Sequence, residues 1–223
     1  MTKFQSKVCL KMASMPMLAL AIFGASTTTQ AAENGKVLSL ETHAGFFSHE
    51  THQKVDLDPQ VFVKDATANG AIGPQQITRV GGIRNALVAD NPESPIFSAS
   101  GKDLGMTLGK WLGAKGEVIL TPLDGGKEKV TIYMTGLKPN GKYSFFENHF
   151  DQKPIGFTPL DGTATANTVT ANTAGTAVFT TIAPTLITHD NAVLVVYQSD
   201  GKSYGKSRGE IGHNAHHQLI ARP

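Results

Sequence analysis

Histidine is the residue type that gives this chain its chemical character. Six of its eight histidines fall in two clusters: His43, His49 and His52 in ETHAGFFSHETH, and His213, His216 and His217 in GHNAHHQL. Neutral imidazole suits zinc and copper, and a carboxylate often completes the shell. The candidate metal ligands are therefore His149, His213, His216 and His217, with Glu147 beside His149 at the end of one strand, and the candidate ion is zinc or copper. Glu41 and Glu50 offer the first cluster the same help. On a strand, His213 and His217 share a face while His216 points the other way, so the triplet cannot ligate from one straight strand. His49-Glu50-Thr51-His52 lacks the spacing of a helical zinc motif. The competing reading is a set of solvated loop histidines.

Other signatures fail on context. Gly205-Lys-Ser207-Arg-Gly209 matches the G-x-S-x-G pattern, but that elbow needs a strand before it, a helix after it, and an acid and a histidine downstream. Here a glycine-rich loop precedes it and the chain soon ends. Gly201-Lys-Ser and Gly205-Lys-Ser lack the upstream glycine of a phosphate loop. No catalytic or cofactor-binding set is read, so the leading expectation is a non-catalytic protein, with enzymatic activity left open. Lys202, Lys206 and Arg208 make a small basic loop, suited either to steering an anion or to plain solvation. Phe46-Phe47 is an apolar pair in a polar stretch, either a core anchor or an adhesive contact.

Residues 1–31 read as a secretory signal peptide: Lys3, Lys7 and Lys11, then an apolar run from Met12 to Ala25, then small residues with a cut near Ala31. The run is too short for a comfortable membrane span, and no later segment is long enough for one. Cys9, the only cysteine, precedes that run, so the exported chain has no disulfide. Removing three basic residues from twenty leaves 17 against 18 acidic ones. No basic field remains for nucleic acid. The expected location is periplasmic or extracellular, with a cell-envelope protein or a glycan as possible partner classes.

The elements that must position these groups are strands. Val130 to Phe150 reads as one β-hairpin, its strands expected at Lys129–Gly136 and Lys142–His149 about the turn Lys138-Pro139-Asn140-Gly141. Further strands are expected at 117–121, 164–171, 175–182, 192–198 and 216–221, each bounded by Gly, Asn or Asp turns. Thr107 to Ala114 reads as a helical turn with Thr107 as N-cap and Trp111 against the core. Residues 32–105 read as an irregular N-terminal extension with short strands near 36–40, 55–63, 76–80 and 86–89. Residues 106–223 read as the core. The expected class is all-β, an antiparallel Greek-key sandwich carrying that extension.

Three pieces resemble the copper/zinc superoxide dismutase family. GLKPNGKYSFFE is similar to its Gly-Leu-x-Pro-Gly turn and following strand, and Gly175-Thr-Ala-Val-Phe179 to its Gly-x-Ala strand. Ala192 to Asp200, the Gly- and Lys-rich loop and His217 to Ala221 resemble its Val-Val-His strand, electrostatic loop and closing strand. The resemblance implies a Greek-key sandwich and copper/zinc binding. The chain departs from the pattern where copper histidines are expected: Phe145 and Glu147 stand at two such positions, and Tyr197 or Gln198 at a third. The same Gly-Leu-x-Pro-x-x-x-Tyr resembles the tyrosine corner of immunoglobulin-like sandwiches, where Tyr143 would hydrogen-bond back across the turn. Together these readings give an exported, non-catalytic sandwich with a binding or structural role in the cell envelope, or alternatively a metal-binding dismutase-like protein.

Overall fold

Alternating and β-branched residues fill the second half of the chain, and they fold as strands. In the computed structural model, which describes residues 35–223, the elements run β1 Lys36–Thr42, α1 His43–Glu50, β2 Leu57–Lys64, β3 Ala71–Ile72, β4 Thr78–Arg79, β5 Ile83–Leu87, β6 Pro95–Phe97, β7 Asp103–Thr107, α2 Leu108–Leu112, β8 Lys115–Leu123, β9 Lys127–Thr135, β10 Lys142–His149, β11 Gly156–Pro159, β12 Thr168–Thr170, β13 Ala177–Ala183, β14 Asn191–Gln198 and β15 Ala215–Ala221. The protein is mostly β, and its named strand pairs are antiparallel. The expected signal peptide lies outside the described residues. Among the described residues no helix is long and apolar enough to cross a membrane.

The main sheet has the order β11-β10-β14-β15-β1-β8-β9-β13, with β12 also on β10. β1 joins its two halves: Lys36–Leu40 pair with β8, while Glu41 and Thr42 pair with β15. One apolar cluster spans both halves, with Val118, Ile132 and Phe179 from one and Phe145, Val195 and Leu219 from the other. The opposite face of β10, β14 and β15 is buried too, through Phe146, Leu194, Val196 and Ile220. We call these the inner and outer faces. Burial on both sides explains the continuous apolar run Ala192–Tyr197.

The expected hairpin does not form. β9 pairs with β8 and β13, whereas β10 pairs with β11, β12 and β14, so the Lys138–Gly141 turn carries the chain from one half of the sheet to the other. Pro139 followed by Asn140 at φ 58° gives a type II turn, whose twist does not suit a two-residue hairpin. Tyr143 Oη accepts from the Lys138 N–H at 2.9 Å and closes the corner. β12 is shorter than the expected 164–171 strand. The Asp161 carboxylate captures the N–H groups of Thr163, Ala164 and Ala166 and holds them in a loop.

The N-terminal third is not an extension. The described residues, 35–223, belong to one compact unit without a division near residue 105. β1 sits centrally in the main sheet, and β2 anchors a four-stranded sheet, β5-β2-β6-β7. Val61, Val63, Ile96 and Leu104 share the main core. β2 is buried at six consecutive positions, so its sequence shows no alternation. Pro59 lies where its register shifts, between Leu57 and Phe62.

Candidate functional site

Strand β15 sets the site by an irregularity. Val195 pairs with Leu219 and Val196 with His217, so Gln218 is an extra residue, a β-bulge. The bulge shifts the alternation of everything before it. His217 pairs with Val196 and points to the outer face, while His216 pairs with Tyr197 and points inward. Gln218 Nε2 anchors the bulge on the Trp111 carbonyl at 2.9 Å.

On the inner face, His216 lies against Trp111 and Tyr197, and its Nδ1–H donates to the Gln60 carbonyl at 3.1 Å. Burial pushes it down to about 4. The Trp111 indole donates to Asp58 Oδ2 at 2.8 Å, and Asp58 Oδ1 accepts from the Gln60 and Val61 N–H groups. Burial still pushes Asp58 up to about 6 against these three bonds. This inner network ties β2 and α2 to β15.

On the outer face, α1 follows β1 without a loop, capped by Thr42 Oγ1, which accepts from the Gly45 N–H at 3.2 Å. That cap fixes His43, the first helical residue, over β15. His43 Nε2 lies 3.3 Å from His217 Nδ1, and Arg208 Nη1 lies 2.9 Å from His217 Nε2. A guanidinium only donates. His217 Nε2 must therefore accept, its Nδ1 carries the proton and donates to His43 Nε2, and the remaining His43 proton sits on Nδ1. Among the described residues that Nδ1–H has no partner, and the ring is only 5 % exposed. Burial, with Arg208 adding to it, holds His43 down to about 3, and burial holds His217 well below the usual histidine range with His43 and Arg208 next in weight. Both imidazoles are neutral at pH 7.

Arg208 enters from the glycine-rich loop between β14 and β15. Its carbonyl accepts from Gln198 Nε2 at 3.0 Å, and its guanidinium carbon lies 3.2 Å from the ring centroid of Phe157. Burial pushes it down to about 10, so it stays charged at neutral pH. Among the described residues no carboxylate pairs with it. Phe46, Phe150, Phe157, Ile155 and Pro154 wall a cleft of about 590 Å³ that His43, His217, Arg208 and Asn148 also line. Asn148 Oδ1 is buried there without a partner. Glu50 also lines the cleft, but it is paired with Arg222 at 3.5 Å.

The five expected metal ligands are scattered. His149 sits 3.8 Å from Glu147 and bonds Thr158 Oγ1 at 2.9 Å. It pairs with Asn191 at the start of β14, whereas His216 and His217 lie beside the end of β14, so the strand ends expected to converge are opposite ends. Burial pushes Glu147 up to about 7, and Asn191 donates to it. His213 lies in the loop, 3.8 Å from Glu210. Among the described residues no group of three or more His, Cys, Asp or Glu is placed to hold a metal ion. Ser207 Oγ accepts from the Gly209 N–H, a loop contact. Phe145, at an expected copper position, stacks on Phe179 in the core.

The structure joins one histidine from each cluster, His43 and His217, and adds Arg208 and both members of the aromatic pair, Phe46 and Phe47. Phe157, Asn148 and Gln60 carry no sequence signal of their own: they are single residues on short or fully buried strands. The usable hint was the basic loop immediately before a buried His-His strand. No family model matches this sequence and no curated protein is significantly similar to it, so nothing beyond the quoted motifs links the chain to the superoxide dismutases.

Proposed function

We propose that this protein is an exported, non-catalytic β-sandwich of Greek-key type that binds a small ligand in the cleft between α1, β11 and the β14–β15 loop. Its role is in the cell envelope, the location the leader-like N-terminus supports. One observation carries the reading: Arg208, a cation without a carboxylate partner, is seated on Phe157 inside an aromatic cleft. A buried charge without an opposite partner costs stability. Such an arrangement is typical of a site that completes its bonding with a ligand, and clefts of this size and lining are typical small-molecule sites. Among the described residues no hydroxyl or thiol bonds His43 or His217, which favours binding over acyl transfer.

A second reading rests on the His43–His217 distance. Two imidazoles on one tetrahedral ion, with bonds of about 2.0–2.1 Å, hold their nitrogens at roughly the separation seen here, 3.3 Å. Arg208 weighs against it, because a cation donating to the far side of His217 makes that ring a poorer ligand.

Fragment screening by two-dimensional NMR tests the first reading. Bound fragments should shift His43, Ile155 and Phe157, and Ile155→Trp, at the exposed rim, should block them. Fragments that bind elsewhere, or none at all, would remove the reading. Titration with zinc and copper in parallel tests the second. Stoichiometric binding lost in both His43→Phe and His217→Phe would establish it.

A further inference from the structure

Resting on the cleft reading above, we propose that the ligand is a small apolar monocarboxylate, its carboxylate held by the free edge of the Arg208 guanidinium and its body lying against Phe46, Phe150 and Phe157. The charge count selects a monoanion. Of the described residues that line the cleft, Arg208 is the only lysine or arginine, and Glu50 at the same cleft already pairs with Arg222. A dianionic phosphate would bring one uncompensated charge into an aromatic site, where charge is costly. A neutral ligand would leave Arg208 without a counter-charge, and a cation would meet it directly.

Geometry selects the carboxylate. Among the described residues only Nη1 of Arg208 is engaged, by His217, which leaves other N–H groups of the fork for a planar, two-oxygen acceptor. The guanidinium plane is fixed on one side by the Phe157 ring. The hydrogen-bond chain is directional. It starts at Arg208, passes through His217 and ends at the His43 Nδ1–H, a donor without a partner among the described residues. A buried donor left unbonded is costly, and a ligand oxygen is what such a site lacks. The Asn148 amide lines the same cleft with Oδ1 unbonded, and an amide can be turned to donate. Thr51, Gln75 and Glu50 also line the cleft but are bonded to Phe47, Gln60 and Arg222, and the rest of the wall is apolar, so the remainder of the ligand is apolar.

Isothermal titration at neutral pH with matched pairs tests this: straight-chain fatty acids of four to twelve carbons and 3-phenylpropionate, each beside its primary alcohol. The acid should bind at least about 10-fold more tightly than its alcohol, the range expected of one charge-assisted pair. Arg208→Met should abolish the preference while near-ultraviolet circular dichroism and melting temperature stay close to the parent. Arg208→Lys should restore only part of it, since the charge returns without the fork. Acid and alcohol binding alike, each shifting cleft resonances, would overturn the carboxylate assignment and leave the cleft reading standing. No acid or alcohol shifting His43 or Phe157 would overturn the cleft reading, and the carboxylate with it.

Discussion

His43 Nε2 and His217 Nδ1 stand 3.3 Å apart although 174 residues separate them in the chain. The contact closes the N-terminal helix onto the last strand. It also passes the orientation set by Arg208 from one ring to the next, so the protonation pattern of α1 is fixed by a loop far along the sequence. His43→Phe keeps the aromatic volume beside Phe47 and removes the acceptor, leaving the His217 Nδ1–H buried and unbonded. Urea unfolding should show a loss of about 1–3 kcal/mol, the cost of an orphaned buried donor. A double-mutant cycle with His217→Phe should return a coupling of at least about 0.5 kcal/mol. Strict additivity would mean the two rings do not interact.

Acid should destabilise the fold from a defined point. His43, His216 and His217 are held below the usual 6.5, the first two to about 3 and about 4. The unfolded chain therefore binds more protons than the folded one below pH 6.5, and stability is lost as pH falls. Asp58 and Glu147 act in the opposite sense. Their folded values are raised to about 6 and about 7, so their stabilisation is present at low pH and lost as pH rises through those values. Burial also raises Glu41 and Glu128, but by less than it lowers the fully buried histidines, so the three histidines outweigh the raised carboxylates. Calorimetry should find a melting temperature nearly level around pH 7 that falls as pH drops from about 6.5 to about 5. His43→Phe should make that fall shallower. A melting temperature that climbs on acidification would show that the carboxylates dominate.

Asp58 organises the inner network. Its carboxylate accepts from the Trp111 indole and from two backbone N–H groups of β2. Asp58→Ala strands all three donors and should cost roughly 3–5 kcal/mol. Asp58→Asn retains an acceptor and should cost less. Trp111 is the only tryptophan, so its emission reports the site alone. A red shift of the folded-state spectrum in Asp58→Ala, stronger than in Asp58→Asn, is the expected signature, and matching spectra would deny Asp58 this role.

Two glycines in the β14–β15 loop separate strain from contact. Gly205 and Gly209 both have positive φ, 62° and 95°. A Cβ at Gly205 would meet nothing within 4 Å, whereas one at Gly209 would lie 2.7 Å from Asn214 Oδ1 and 3.0 Å from the Tyr204 ring. Gly205→Ala should cost only the backbone penalty of about 1–2 kcal/mol. Gly209→Ala adds a clash with the side chains that brace the loop beside Arg208, so its destabilisation should be larger, and it alone should weaken ligand binding. Equal effects in thermal melts and titrations would argue that the loop adapts freely around Arg208.

Much of the sheet was legible because its signal is local. Lys142–His149 emerges as expected to the residue, and the strands near Ala192 and His216 to within one. Pairing was not legible: the Pro139-Asn140 turn looks like a hairpin turn, and only the competing partners of β9 and β10 show that it is a crossover. The N-terminal strands were obscured for a different reason. β2 is buried on both faces and β6 has only three residues, so neither writes a period into the sequence.

By itself, the sequence determined the strand-rich class, the absence of disulfides from the expected exported chain, and the unusual histidine content, since these follow from residue type and alternation. Which histidines meet was decided by tertiary structure alone. The Gln218 bulge turns His217 outward and His216 inward, β1 delivers His43 across the sheet, and the β14–β15 loop brings Arg208 onto Phe157. One unpaired residue changes the face of every side chain before it, and a one-residue change in strand register has no signature in composition or spacing.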